Sequence, residues 1–316
     1  EEESPYGTTK AIWDAARENL DFLDQRELTP HRAALRDCIR QRTEESWKTL
    51  AADCAARRDK GFVRECHGDL HLGNMVLLNG RITVFDAIEF NPGFRWIDVM
   101  NEVAFVVMDL ERRGQRAPAY RFLNRYCEIT ADYEGIRLLR FYVAYRSLVR
   151  AKVAAIRYEQ RADDQGADEP SHEEQSRFDA LLDLAASAVE TSPPLLLITC
   201  GFSGSGKTAV TQGVLERIGA SRLRSDVERK RLQADGALGD DLYSDESTEL
   251  TYARLARLAK HILPVGPPVI VDATFLRRSD RDTFRQIADQ ADARFVILQI
   301  EAPVEVLRLR IQARGA

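Results

Sequence analysis

At residues 201–208 the chain reads Gly-Phe-Ser-Gly-Ser-Gly-Lys-Thr. Residues of these types at this spacing make a cradle for phosphate. Gly201, Gly204 and Gly206 let backbone N–H groups converge, with Ser203 and Ser205 between them, while Lys207 can reach β and γ phosphates and Thr208 can ligate magnesium. The pattern carries this meaning only where a strand leads into it and a helix leaves it. The apolar run Leu195–Cys200 supplies the strand and a helix is predicted from Lys207, so the expected ligand is ATP or GTP with Mg2+.

Two carboxylates stand where chemistry on a bound phosphate needs them. Asp272 closes the apolar run Pro267-Pro-Val-Ile-Val271, where a second magnesium ligand is expected. Asp226, in Arg224-Ser-Asp-Val-Glu-Arg-Lys-Arg231, follows the strand after the loop's helix; there it can take the proton of an attacking hydroxyl while neighbouring arginines hold anionic groups. Both are capping residue types, so a helix N-cap is the alternative at each position. A second cluster, His67-Gly-Asp-Leu-His-Leu-Gly-Asn74 with Asp86 beyond it, gathers acidic and amide side chains on a loop.

The elements that position these residues follow from periodicity and turn chemistry. Residues 8–58 predict two helices split at Thr29-Pro30, with Thr29 as N-cap and Pro30 in the first turn. Residues 61–66 predict a short strand. Asn79-Gly80 between the apolar runs 75–78 and 81–85 predicts a hairpin, because a type I′ turn needs positive φ at both central positions; it brings Asp86 back toward the loop at His67. From Trp96 to Tyr158 the spacing is helical throughout, residues 161–170 are polar and acidic enough for an exposed loop, and one more helix runs to Val189. Thr191-Ser-Pro-Pro194 is the expected boundary between domains 1–190 and 191–316. Beyond it strands (195–200, 222–225, 268–272, 294–300) alternate with helices, which predicts a parallel sheet covered by helices.

From Leu195 onward the motifs resemble the small P-loop kinases of the gluconate, shikimate and polynucleotide 5′-hydroxyl kinase type. The residues that carry the likeness are 201–208, Arg224-Ser-Asp226, Val271-Asp-Ala-Thr-Phe275 and Val306-Leu-Arg-Leu-Arg-Ile-Gln-Ala-Arg314. The resemblance implies phosphoryl transfer, with Asp226 acting on the acceptor hydroxyl and Arg310 and Arg314 closing as a lid; exposed helix charges are the other reading of these two arginines. The chain stops within that lid helix, before the last strand such folds have. Residues 67–90 resemble the catalytic segment of the aminoglycoside phosphotransferase family, a relative of protein kinases. That likeness implies Asp69 as base, Asn74 and Asp86 as magnesium ligands, and His67 and His71 as braces of the loop. The family's small nucleotide-covering lobe has no counterpart in residues 1–60, which read as helices. The implied fold is an α+β kinase-like C-lobe, mostly helical with a β-hairpin, followed by an α/β P-loop domain. The order resembles bacterial two-part proteins that join a phosphotransferase-like domain to an ATP-binding kinase domain; those are longer at both ends. The chain starts without Met and ends at Ala316 inside a predicted helix, so a piece of a longer protein is expected.

Composition narrows the partners. The net charge of −5 divides unevenly, with 18 Lys and Arg against 16 Asp and Glu from Thr191 onward and 27 against 34 before it. Neither part has the basic excess of a protein that grips nucleic acid by its phosphates, so a small hydroxylated acceptor is expected and nucleic acid is not. Five scattered cysteines without a C-x-x-C pair suggest neither disulfides nor zinc. No stretch approaches the roughly 18 apolar residues of a membrane span, and the sequence opens Glu-Glu-Glu-Ser-Pro rather than with a basic segment followed by an apolar run. The expectation is a cytoplasmic ATP-dependent kinase, its oligomeric state open. A nucleotide-dependent regulatory module with slow ATPase activity and a polynucleotide 5′-hydroxyl kinase are the alternatives. Arg146, Arg150 and Arg157 share one helical face, read as a solvated face rather than an anion site.

Overall fold

The computed structural model describes residues 5–165, 172–190, 192–239 and 241–315. The chain folds as two compact units, Glu1–Gln115 with Leu138–Thr191, and Arg116–Arg137 with Ser192–Ala316.

The first unit opens with two helices, α1 (Thr9–Asp24) and α2 (Pro30–Asp59). Thr8 caps α1 through a 3.1 Å bond from Ala11 N, and Thr29 accepts from Arg32 N with Pro30 in the first turn of α2. Strand β1 (Val63–Glu65) and a 3₁₀ turn at Leu72–Asn74 precede the hairpin β2 (Met75–Leu78) and β3 (Arg81–Val84), whose turn residues Asn79 and Gly80 both have positive φ. A single turn α3 (Pro92–Arg95) leads to β4 (Trp96–Asp98), which pairs antiparallel with β1. Helical spacing is expected from Trp96 onward, yet Trp96–Asp98 is a strand: three residues are too few to show an alternating period, and the tie is made by a partner distant in sequence. Asp98 then caps α4 (Val99–Arg112) and holds the buried guanidinium of Arg57 through two 2.8 Å bonds. After residue 137 the unit is completed by α6 (Ile136–Gln165) and α7 (His172–Val189). Helix α6 continues through the first half of the stretch read as a loop at 161–170, and residues 166–170 lie outside the described residues. Leu20, Ile39, Phe105, Leu138 and Tyr142 are among its buried side chains.

The second unit begins early in the chain, with α5 (Arg116–Thr130), and resumes with β5 (Leu195–Cys200), α8 (Lys207–Ile218), β6 (Ser221–Arg224), α9 (Ser225–Ala234), α10 (Asp245–Ile262), β7 (Val269–Asp272), α11 (Arg278–Gln290), β8 (Arg294–Gln299) and α12 (Val304–Gly315). All four strands are parallel, in the order β6-β7-β5-β8. The two central strands are covered on both faces, which is why Leu196, Ile198, Val269, Ile270 and Val271 form unbroken apolar runs and are fully buried. Strand β6 lies at the edge, and α5 closes it. Asn124 donates to Ala220 O at 2.9 Å and accepts from Arg222 N at 2.6 Å, and Arg121 pairs with Glu216 at 2.9 Å. Gly219 turns α8 into β6 at φ +70, and a Cβ there would lie 2.7 Å from the Tyr120 ring. The division expected at Thr191 leaves α5 with the first domain; in the structure it packs in the second unit.

Candidate active site

The phosphate loop joins β5 to α8. Gly201, Gly204 and Gly206 all have φ between +80 and +150, and a Cβ on Gly201 would fall 2.2 Å from Ile300 O. Gly206 occupies the N-cap of α8 with no side-chain cap, so the first N–H groups of the helix face the loop's hollow without a local acceptor. Ser205 Oγ is buried and unpartnered there. Lys207 Nζ rests on two loop carbonyls, Gly201 O at 3.0 Å and Phe202 O at 2.8 Å. Arg310 of α12 donates to Gly204 O at 3.0 Å, while the side chain of Arg314 lies outside the described residues.

The carboxylates come from the ends of neighbouring strands. Asp272, at the C-terminus of β7 and 5% exposed, accepts from Thr208 Oγ1 at 2.8 Å and from Thr211 Oγ1 at 3.5 Å, with Arg224 Nε 3.9 Å away. Asp226 is exposed in the first turn of α9, where Arg224 holds the N-cap position; neither aspartate therefore works as a helix cap. A cleft of about 590 Å³ is bounded by Ser203, Lys207, Thr208, Asp226, Asp272 and Arg310, among others. Its donor set suits a magnesium–nucleotide complex, which asks the protein for one or two oxygens and takes the rest from phosphate and water. Among the described residues no cluster of three or more His, Cys, Asp or Glu offers a self-contained metal site.

Sequence reasoning missed a supporting layer. Arg222, 4% exposed, donates to Thr208 O at 3.1 Å, and burial, together with the charge of Arg224, lowers its pKa from the usual arginine value. Glu128 of α5 receives both Arg222 and Arg224 at 3.4 Å. Thr211 could have been found, since it follows Thr208 by one helical turn. Glu128 could not, because nothing near it in sequence marks it.

In the first unit, the loop at His67 and the end of the hairpin are stitched together. His67 Nε2 lies 2.8 Å from Phe85 O, Phe85 N donates to Asn74 O at 3.1 Å, and Ile88 N donates to His67 O at 3.0 Å. This places exposed Asp86, at φ +63, beside buried Asn74. Asn74 Nδ2 donates to Asp69 Oδ2 at 3.2 Å and to Asp69 O at 3.0 Å. His71 Nε2 is 3.3 Å from Asp69 Oδ2, and its Nδ1 accepts from Gly73 N, the bracing role expected of it. Burial would raise the Asp69 pKa, but the hydrogen bond from His71 and the charges of His71, Arg150 and Arg146 outweigh it and hold the carboxyl below its ordinary value. The arginine face is not solvated: Arg146 is buried against Asn101 Oδ1 and Gly68 O, Arg150 is largely covered, and only Arg157 is exposed, because α6 is packed on most sides along its middle.

Residues 9–139 match the family described as Phosphotransferase enzyme family, and residues 196–316 match that described as AAA domain. The chain is 30% identical over 268 residues to uncharacterized proteins of Mycobacterium tuberculosis and Mycobacterium bovis, an alignment covering 83% of this chain and 52% of each relative. The chain thus spans about half the length of the curated relatives it matches. Among solved structures, a gluconokinase from Sinorhizobium meliloti is 24% identical (TM-score 0.30, 40% of this chain and 69% of that one). The APS kinase of Mycobacterium tuberculosis, in complex with AMPPNP and APS, is 26% identical (TM-score 0.33, 39% of this chain and 74% of that one).

Proposed function

From a chain that joins a phosphotransferase-family segment to a P-loop α/β domain, we propose that the second unit is an ATP-dependent kinase that moves the γ-phosphoryl group to a hydroxyl of a small molecule. The observation that carries this reading is the cleft in which the glycine loop, Lys207, the Thr208–Asp272 pair and the Asp226 carboxylate meet. The acceptor oxygen bonds to the γ-phosphorus as the bond to the β,γ-bridging oxygen breaks; ADP leaves with that electron pair, and the hydroxyl proton passes to Asp226. Lys207 exchanges its two carbonyl partners for the β and γ phosphates, and Arg310 and Arg314 close on the same oxygens. Thr208 and Asp272 are the residues that would hold Mg2+, which when bound neutralises charge on the phosphates.

The same proposal places the nucleotide affinity of residues 1–316 in the second unit. Asp69 as base and Asn74 and Asp86 as metal ligands are the shell of a transferase site whose nucleotide-covering part is not in residues 5–65, described as helices and a short strand. The near-neutral balance of the second part favours a small acceptor over a nucleic-acid end. Cytoplasm is the proposed setting; all five cysteines are free thiols, and among the described residues no helix is long and apolar enough to cross a membrane. Incubation with γ-labelled ATP and a metabolite pool tests the reading: a labelled small product supports it. Release of phosphate alone would mean a nucleotide switch, and label on oligonucleotide ends would mean an end kinase.

A further inference from the structure

A cavity of about 460 Å³ opens beside Gly68 and Asp69 in the first unit and shares no lining residue with the P-loop cleft. This falls in the range of about 300–1,000 Å³ that small-molecule sites occupy. Its walls are mainly apolar, built from Ala11, Ile12 and Ala15 of α1, Trp96 of β4, and Val149 and Val153 of α6. The carboxylates and the ammonium group at its edge are already paired. Asp98 is held by Arg57 through two 2.8 Å bonds, Lys152 reaches Glu18 at 2.6 Å, and Asp69 lies against Asn74, His71 and Arg150.

Arg146 differs. It lines the cavity, is 5% exposed, and is clamped by Nε to Asn101 Oδ1 at 2.7 Å and by Nη1 to Gly68 O at 3.1 Å. Its guanidinium lies 4.6 Å from the Phe105 ring centroid and 5.5 Å from that of Tyr145. Its Nη2 is buried and has no hydrogen-bond partner. Buried donors are almost always paired, and a guanidinium left with open N–H groups is matched best by a carboxylate. The clamps remove most of the ordering cost of making that bond, since the group is already fixed.

We propose that this cavity binds a small carboxylic acid with an aromatic or branched aliphatic body. Its carboxylate completes Arg146 and its hydrocarbon part fills the space between α1 and α6. A polycation is a poor fit, because each carboxylate lining the cavity is already paired with a cation of the protein.

Calorimetry of the whole chain without nucleotide, using naphthalene-2-carboxylate as probe and naphthalene-2-methanol as its uncharged counterpart, tests the site. The acid should bind with a Kd on the order of 10–100 µM, as expected for a ligand of that size. The alcohol should bind at least about tenfold more weakly, for loss of the charged partner. Arg146→Met should weaken the acid to the level of the alcohol. Ala15→Trp, which fills the cavity and touches none of the clamping hydrogen bonds, should abolish binding of both, and it decides the matter if Arg146→Met does not fold. No heat with the acid up to millimolar concentration, equal affinity for acid and alcohol, unchanged binding in a folded Ala15→Trp chain, or competition by spermine would each overturn the proposal. Lys207→Ala should leave the binding intact, so this site and the proposed kinase stand or fall separately.

Discussion

The P-loop cleft and the Asp69 loop hold the same kinds of group, and they are assembled to opposite ends. In the cleft, the helix N-terminus of α8, Lys207, Arg224 and Arg310 gather around a hollow, and Lys207 donates to two loop carbonyls that a phosphate can replace. Around Asp69 the carboxylate is already engaged: Asn74 donates to its Oδ2 and its backbone carbonyl, His71 braces it, and Arg150 stands 3.9 Å off. A site poised for an anion leaves its donors on weak partners. A loop whose N–H groups already donate to carboxylates of α4, as those of Gly68 and Leu72 do to Glu102 and Asp109, keeps its shape without one.

The largest test of this contrast is Lys207→Ala. ATP turnover should fall on the order of 10³–10⁵-fold, the scale on which one cation at a transferring phosphoryl group counts, with circular dichroism unchanged. Normal turnover in that variant would break the contrast outright. Next is Asp226→Asn, which should keep ATP affinity in calorimetry while transfer drops roughly 10²–10⁴-fold, the worth of a general base. Weaker ATP binding with undiminished transfer would make Asp226 a structural residue. A third variant, Asn124→Ala, separates architecture from chemistry: it strips partners from the buried Ala220 carbonyl and Arg222 amide, and should cost about 2–3 kcal/mol in urea unfolding of the second unit. An unchanged midpoint would mean that α5 merely rests on β6. The smallest effect belongs to Asp69→Asn and Asp86→Asn, which should leave ATP affinity of the whole chain within about twofold, as expected of sites that share no partners. A clear loss would show that the first unit holds nucleotide after all.

The parts legible in sequence were those whose physics is local. The glycine loop announces itself because one segment carries cradle, lysine and hydroxyl, and Asn79-Gly80 fixes its hairpin by backbone preference alone. The cap at Thr29 and the unbroken apolar runs of β5 and β7 belong to the same class. What stayed hidden depends on distant partners. Trp96–Asp98 is a strand because β1 lies beside it, Arg146 is buried because Asn101 and Gly68 receive it, and Glu128 reaches the cleft through two arginines nearly a hundred residues away. Charge periodicity on α6 pointed to solvent and misled, since a spacing pattern records which residues share a face and not what covers that face.

The place of α5 in the chain bears on how the protein is made. Its partners Glu216, Ala220 and Arg222 follow it by 95 to 98 residues. At a synthesis rate of roughly 5–20 residues per second, α5 leaves the ribosome some 5–20 seconds before the surface that will cover it exists. Through that interval Leu123 and Ala119, both fully buried in the finished fold, have no native cover. The residues of the second unit are therefore not made in one block after those of the first. A piece of the second unit must be held aside, and a ribosome stalled between residues 137 and 215 would present that helix to whatever chaperone binds apolar segments.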